Sequence, residues 1–340
     1  MFADRDSGRL SSARVKQPWP PDRPFKILSL DGGGIRGIFS ASVIAELAKI
    51  VPVGTHVGEY FDLISGTSTG GIIALGLGLR LEPDRVLNLY LKRGKEIFPP
   101  FWTRHPWLAK AKQIFGPLHD HEVLKDALHS EFGHRPIGES ETRLLIPAFV
   151  GPDVQVAVFK TDHHGDYRRD WQTPAWEVAR ATAAAPTYLP GHRYNLEFFL
   201  DGGVWANNPI MLSIVEAISA YDVRLGQIRV ISIGTGNPRP HLKQSAVRAG
   251  FWGWREIIST AMYLTTDTAL SQARLLLGAD NIIRIEPSPD GAKILLDDWR
   301  AANEVMPSEA KVALHHKTAD VMPFFETKAL PRERHYTSGP

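Results

Sequence analysis

The sequence contains no cysteine, and this absence excludes several kinds of site at once. Disulfide bonds, thiolate metal ligands and a cysteine nucleophile cannot form. A chain without disulfides suits a reducing compartment, so we expect the protein in the cytoplasm.

Long hydrophobic runs are also missing. The longest apolar stretch, residues 71–81, is far shorter than the roughly 20 residues that cross a bilayer. The N-terminal sequence MFADRDSGRLSSARVKQPWPPDRP has no apolar segment typical of a signal peptide. Any membrane contact is therefore predicted to be peripheral.

The chain has little net charge. It carries 39 Lys and Arg against 37 Asp and Glu, for a formal net charge of +2. This balance gives no indication of a nucleic-acid partner. Its 340 residues, 43% of them apolar, are enough to bury a sizeable core.

Predicted strands alternate with predicted helices along the chain, without repeats. We expect a disordered lead over residues 1–24, one folded domain over 25–325 and a flexible tail over 326–340. Within the domain, strands are predicted at 25–30, 60–64, 143–150, 154–160, 196–203, 228–236 and 281–287. This alternation predicts a three-layer α/β/α sandwich with a largely parallel central sheet.

A glycine cluster follows the first strand in ILSLDGGGIRGIFSASVIAEL (27–47). Gly32, Gly34 and Gly37 match the G-x-G-x-x-G fingerprint of dinucleotide sites. Such a site needs an acidic residue at the end of the second strand, but that strand ends in LISG, and Asp62 lies inside it. The loop is better suited to offering backbone amides to an oxyanion.

The second strand runs into Gly66-Thr67-Ser68-Thr69-Gly70, a G-x-S-x-G sequence followed by a helical pattern. In a nucleophile elbow the serine occupies a sharp turn between strand and helix, and the flanking glycines relieve steric conflict. The context therefore predicts Ser68 as a nucleophile, with Gly66 and Gly70 as supporting residues.

A serine hydroxyl needs a base, and Asp201 is the best candidate. It follows the apolar strand EFFL and is backed by Gly202 and Gly203. The chain has 13 histidines, but none lies in an obvious strand-end turn. Two other functions stay open: an esterase with a histidine triad that uses His241 or His315, and a nucleotide-binding sensor with an incidental serine.

The glycine loop supplies the predicted oxyanion hole. The amides of Gly32, Gly33 and Gly34 can point at the oxygen that becomes negative in a tetrahedral intermediate. Arg36 either adds positive charge there or faces solvent.

Four segments, in this order, resemble the patatin-like phospholipase family: DGGGIRG (31–37), GTSTG (66–70), ATAAAPTYLP (181–190) and DGG (201–203). The resemblance covers roughly residues 25–325. It implies a Ser68–Asp201 dyad without histidine and an oxyanion hole around Gly33 and Gly34. It also implies hydrolysis of fatty-acyl esters of membrane phospholipids through an acyl-serine, without metal or cofactor.

The compact chain is similar to the bacterial effector lipases of antiphage defence. That similarity implies activation by a cyclic dinucleotide, a role in antiviral defence, and peripheral association with the inner membrane when active. A homo-oligomer stays open.

Three further segments contain residue types that also occur in binding sites. The clusters DHHGD (162–166) and HDH (119–121) are predicted to be solvated polar turns rather than metal sites. The segment SIGTG (232–236) is predicted to be a strand-end turn that lines the crevice beside the serine.

The segment EIFPPFWTRHPWLAKAKQIFGPL (96–118) interleaves aromatic and basic residues, which suits the headgroup region of an anionic bilayer. It can equally be a lid over the serine, or a loop with buried aromatics. For GFWGW (250–254) we favour a core, lid or subunit contact.

If residues 96–118 bind a bilayer, the Trp102→Ala and Trp107→Ala variants lose an interfacial anchor each. We expect both variants to float less with anionic liposomes than the unmodified protein. Unchanged flotation would argue against membrane contact by this segment.

Overall fold

The computed structural model describes residues 14–100, 104–105, 107–108, 112, 118–151, 154–236 and 257–336. Eight strands form one sheet: β1 (Phe25–Leu30), β2 (Leu63–Gly66), β3 (Arg143–Val150), β4 (Gln155–Lys160), β5 (His192–Tyr194), β6 (Glu197–Asp201), β7 (Ile228–Ile233) and β8 (Ile282–Ile285). Their order is β5-β6-β3-β2-β1-β7-β8, and β4 pairs with β3 outside this path.

Helices pack on both faces of the sheet, as the sequence predicts for an α/β/α sandwich. The described helices are α1 (Gly37–Leu47), α2 (Thr69–Gly78), α3 (Pro83–Ile97), α4 (His121–Phe132), α5 (Ala175–Thr182), α6 (Gly203–Ala206), α7 (Ile210–Ala220), α8 (Ile257–Leu277), α9 (Trp299–His315) and α10 (Thr318–Val321). None of them is long and apolar enough to span a bilayer.

The sheet is mostly parallel and becomes antiparallel at one side. Parallel pairing links β1, β2, β3, β7 and β8, whereas β4 and β6 pair with β3 in the antiparallel sense. Leu30, at the end of β1, is opposite Gly66 of β2 and Ile233 of β7. The loops that follow these three strands therefore meet at one edge, where ligands of parallel sheets bind.

All six residues of β1 are buried, because helices cover both of its faces. Leu28 and Leu30 belong to the core on the side of α1, α2 and α3. Ile27 packs on the opposite side with α7 and α8. The second strand begins three residues later than predicted, so Asp62 precedes it. The Asp62 carboxylate instead accepts the backbone N–H of Lys26 at 2.9 Å.

Both segments that flank residues 25–325 lie against the domain where the structure describes them, although the sequence predicts disorder there. Trp19 is 7% exposed, and its ring packs on the ring of Tyr221. On the C-terminal side, the backbone N–H of Leu330 donates to Asp62 at 2.9 Å. These contacts join distant parts of the chain, so local composition does not reveal them. The positions of the domain boundaries stay a prediction.

The DHHGD segment is a buried anchor, so the expected solvated turn is wrong. Asp162 and His163 are both fully buried. The Asp162 carboxylate pairs with Arg332, and His163 Nε2 lies 3.1 Å from Glu216 Oε1. Burial lowers the pKa of His163 to about 4, which favours the neutral imidazole. The described residues contain no group of three or more side chains that could hold a metal ion.

The Arg332→Gln variant tests how firmly the C-terminal segment is held. It leaves the buried Asp162 carboxylate without its charged partner, so we expect the free energy of unfolding to fall by about 3–5 kcal/mol. The matched control is Arg334→Gln, because Arg334 pairs with Glu141 in solvent, and we expect a change below about 1 kcal/mol. Urea denaturation measures both. Equal losses would contradict a special role for Arg332.

Candidate active site

Ser68 occupies the sharp turn between β2 and α2. Its backbone has φ 55° and ψ −121°, a conformation that strains a residue with a side chain. A Cβ at Gly66 would collide with the Gly70 carbonyl, and a Cβ at Gly70 would lie 2.7 Å from the Asp31 carbonyl oxygen. The two glycines are therefore sterically required, as the elbow prediction supposes.

Hydroxyl groups from neighbouring segments hold the elbow. The Ser68 N–H donates to Thr182 Oγ1 at 2.9 Å, and that hydroxyl donates to the Pro147 carbonyl at 2.6 Å. Thr67 Oγ1 donates to the Ala206 carbonyl at 2.6 Å. Sequence reasoning missed Thr182, because the segment 181–190 contributed only to the family resemblance.

Asp201 ends β6 beside the serine. Its carboxylate accepts the Gly203 N–H at 2.6 Å and also hydrogen-bonds the Ser68 side chain. Burial raises the pKa of Asp201 to about 6, and the bonds from Ser68 and Gly203 oppose that rise. The Asp201 N–H donates to the Ala184 carbonyl at 3.0 Å. The segment at 181–186 thus holds the backbones of both Ser68 and Asp201.

The glycine loop after β1 lies next to Ser68. The Gly32 amide donates to the Asn207 carbonyl at 3.0 Å, so this amide is already engaged. Within the described chain, the amides of Gly33 and Gly34 donate to no acceptor. Thr235, in the turn after β7, donates its hydroxyl to the Gly32 carbonyl at 2.8 Å. The segment at 232–236 therefore adjoins the loop, as predicted.

A buried ion pair fixes the start of this loop. Both terminal nitrogens of Arg284, on β8, donate hydrogen bonds to the two carboxylate oxygens of Asp31. The distance from Nη1 to Oδ1 is 2.9 Å. Its Nη1 also contacts Ser232 Oγ at 2.6 Å. Burial raises the pKa of Asp31 to about 6, although Arg284 opposes that rise. Sequence reasoning missed this pair, because 253 positions separate its members.

Arg36 does not face solvent, so that alternative is wrong. The side chain is 5% exposed, and its Nη1 donates to the Ala292 carbonyl at 3.0 Å. Burial lowers the pKa of Arg36 to about 10, which leaves the guanidinium charged at neutral pH. A contribution of this charge to the oxyanion hole stays a prediction.

The described histidines give no triad. In this part of the chain no imidazole hydrogen-bonds Ser68 or Asp201. His315 ends α9, a helix that begins beside the glycine loop, where the Ile35 N–H donates to the Leu296 carbonyl. Sixteen residues of helix place His315 roughly 24 Å from that start. His241 lies outside the described residues.

The two aromatic segments are only partly described. Phe98 packs against the core, and Trp107 is 69% exposed. Phe101, Trp102 and the segment at 250–254 lie outside the described residues. In HDH, His119 is buried, so a solvated turn is wrong for that residue, while Asp120 caps α4.

The chain is similar to known proteins over most of its length. The patatin-like phospholipase family model matches residues 28–214. The cGAMP-activated phospholipase of Escherichia coli is 31% identical over 305 residues, which cover 85% of this chain and 83% of the relative. The cGAMP-activated phospholipase of Vibrio cholerae is 31% identical, with coverage of 84% and 90%.

A plant relative is also similar. Patatin-like protein 2 of Arabidopsis thaliana is 32% identical over 67% of this chain and 63% of its own length. The solved structure of VipD from Legionella pneumophila is a distant match, with a TM-score of 0.39 and 13% sequence identity. The match covers 85% of this chain and 67% of VipD. The family model spans more than half of the chain, and the protein belongs to the patatin-like phospholipase family.

Proposed function

We propose that this protein is a serine lipid acyl hydrolase of the phospholipase A type, which cleaves fatty-acyl esters of membrane glycerophospholipids. The observation that carries the proposal is the contact between Ser68 and a buried Asp201. Beside it lies the glycine loop, in which two backbone amides donate no hydrogen bond within the described chain. Membership of the patatin-like phospholipase family supports the hydrolase activity.

In the acylation step, Asp201 accepts the hydroxyl proton while Ser68 Oγ attacks the ester carbonyl. The carbonyl oxygen becomes negative and receives hydrogen bonds from the amides of Gly33 and Gly34. When the tetrahedral intermediate collapses, Asp201 returns the proton to the departing alcohol, which is a lysophospholipid. An acyl-serine remains.

Water then takes the place of the alcohol. Asp201 accepts a proton from the water as its oxygen attacks the acyl-serine, and the same amides stabilise the second oxyanion. Collapse releases the fatty acid and returns the proton to Ser68 Oγ. The raised pKa of Asp201 supports both transfers, because a carboxylate with a pKa of about 6 is a stronger base than an exposed one.

The two alternatives have less support. A histidine triad through His315 would need an imidazole that lies at the far end of α9. A sensor with an incidental serine does not account for a strained serine held against a buried carboxylate. Strain of this kind is retained mainly at functional sites.

The names of the bacterial relatives support a second part of the proposal. The matched proteins of E. coli, V. cholerae and Pseudomonas aeruginosa are cGAMP-activated phospholipases. We propose that a cyclic dinucleotide also activates this protein, in antiviral defence. The active enzyme would act from the cytoplasm on the inner membrane by peripheral contact.

Asp201→Asn removes the proposed base and keeps the shape of the side chain. We expect the rate of phospholipid hydrolysis to fall by about 10²- to 10⁴-fold. A fluorophosphonate probe should label Ser68 in the unmodified protein and fail to label Ser68→Ala. Mass spectrometry of lipids from vesicles, with and without cyclic dinucleotides, measures the product.

The matched control replaces the four histidines after Asp201, at positions 241, 315, 316 and 335, with glutamine. Full hydrolysis by this variant is the expected result. Loss of activity in the histidine variant, with activity retained in Asp201→Asn, would overturn the dyad.

The pKa of Asp201 also predicts a pH profile. The base must be ionised, so kcat/KM should rise with pH to a plateau, with a midpoint near pH 6.

Because the folded-state pKa of Asp201 is raised from 3.8, the carboxyl's contribution to stability is present below pH 3.8 and is lost as pH rises to about 6. Asp201→Asn should therefore be more stable at pH 7, by up to roughly 3 kcal/mol.

Asp31 also has a pKa raised to about 6, so it needs its own control. If Asp201 is the base, the residual activity of Asp31→Asn should keep the midpoint near pH 6. A midpoint that disappears in Asp31→Asn would assign the profile to Asp31 instead.

A further inference from the structure

A groove of about 730 Å³ lies at the amino ends of β1, β7 and β8, at the opposite end of the sheet from Ser68. Its volume is within the range of roughly 300–1,000 Å³ typical of small-molecule sites. Four segments line it: residues 21–26, 226–229, 279–283 and 317–324. None of these residues takes part in the proposed catalysis.

Two cations stand side by side in this groove. Lys26 of β1 and Arg229 of β7 are register partners in the parallel ladder, so their side chains share one face of the sheet. Like charges in such neighbouring positions are destabilising. Among the ion pairs of the described residues, none includes Lys26, Arg229 or the adjacent Arg23.

In the described chain these cations donate hydrogen bonds to backbone carbonyls, and Lys26, which also donates to the Thr327 carbonyl, lies over the Tyr60 ring. Lys26 Nζ donates to the Phe324 carbonyl at 2.8 Å, and Arg229 Nη1 donates to the Gly226 carbonyl at 2.8 Å. Burial lowers the pKa of Lys26 to about 8, and Arg23 lowers it further against the opposing effect of Asp62. Carbonyl oxygens carry only partial charge, and the lining of the groove has four cations against three carboxylates, so the groove keeps a net positive charge.

The rest of the lining is mixed. Pro24 and Pro323 offer apolar surface, and Phe324 lines the groove although it is only 6% exposed. Lys317 adds a fourth cation that pairs with Asp320. Asp22 and Asp280 lie at the same groove. A ligand that suits this lining carries phosphate groups for the cations and flat ring systems for the apolar surface.

We propose that this groove binds the activating cyclic dinucleotide, with a phosphodiester against the partly exposed Arg229, beside Lys26, and a base against Pro24 and Pro323. This inference rests on the activation proposed above. A cyclic dinucleotide carries two anionic phosphodiesters and two planar bases, so it matches both kinds of surface in the groove.

Two strands run from the groove to the glycine loop. β1 carries Lys26 near its start and leads directly into Asp31, roughly 17 Å away. β8 lines the groove with Ile282 and Ile283 and then presents Arg284, which pairs with Asp31. A ligand held between the starts of β1 and β8 therefore acts on the strands that set the position of the Asp31–Arg284 pair.

The test uses the full chain and isothermal titration calorimetry with cGAMP, cyclic di-GMP and, as a mononucleotide control, GMP. Arg229→Gln removes one proposed phosphate ligand, and Lys317→Gln removes a cation at the rim. The controls Arg300→Gln and Lys125→Gln remove exposed cations on α9 and α4, away from the groove. Circular dichroism and fluorophosphonate labelling of Ser68 check that each variant is folded.

We expect one cyclic dinucleotide to bind the unmodified protein and stimulate its hydrolysis of phospholipid vesicles. Arg229→Gln should weaken that binding by about tenfold or more, since a charge-assisted hydrogen bond is lost. The Arg300 and Lys125 variants should bind as the unmodified protein does, and labelling without nucleotide should be equal in all four.

If the unmodified protein binds and responds while Arg229→Gln and Lys317→Gln keep full affinity, the groove is not the site, although the proposed function stands. If no cyclic dinucleotide binds and hydrolysis proceeds unstimulated, activation and the groove assignment both fail, and the hydrolase assignment stands. If Ser68 is never labelled and no lipid is cleaved, the hydrolase assignment itself fails.

Discussion

The strained backbone at Ser68 is the constraint on which the rest of the site depends. A non-glycine residue in this conformation raises the energy of the fold by about 1–3 kcal/mol, so surrounding contacts must hold it. Thr182 links the Ser68 amide to Pro147, and Thr67 is held by Ala206. These anchors lie on β3, α5 and α6, so the elbow acquires its shape only when the sheet and its helices have assembled. The proposed nucleophile is therefore positioned by the whole fold.

Two buried carboxylates at the same sheet edge have opposite surroundings. Asp31 is matched by the bidentate guanidinium of Arg284, which offsets the burial of both charges and fixes the loop. Asp201 has only a hydroxyl and an amide as partners. Both carboxyls have a pKa of about 6, so their basicity does not separate them. What does is the partner: both oxygens of Asp31 accept from Arg284, whereas Asp201 contacts the Ser68 hydroxyl, as the proposed base must. The fold gives up stability at Asp201, where the proposed chemistry needs a proton acceptor.

The sequence predicted those parts of the fold whose signals are local. Residues 25–30 and 143–150 are strands with the predicted bounds, because their apolar runs end at clear turn residues. The elbow and the position of Asp201 followed from glycines next to strand ends. Other features depend on partners far along the chain. Asp31 pairs with Arg284, Asp162 pairs with Arg332, and the Gly32 amide donates to the Asn207 carbonyl. No periodicity or spacing marks such pairs, so the sequence analysis missed them.

A parallel sheet has chemically different ends, and the two proposed sites of this protein lie at opposite ends. The loops after β1, β2 and β7 converge on the proposed catalytic site, and the starts of β1, β7 and β8 converge on a groove with uncompensated positive charge. A bound anion can shift an equilibrium only if it binds one arrangement better than the other. In the proposed site the differential interaction would come from Arg229 and Lys26, register neighbours on the paired strands β1 and β7, because a phosphate between them would relieve their mutual repulsion. Since β1 continues into Asp31, tighter pairing at the start of the strand would reach the glycine loop through a rigid backbone.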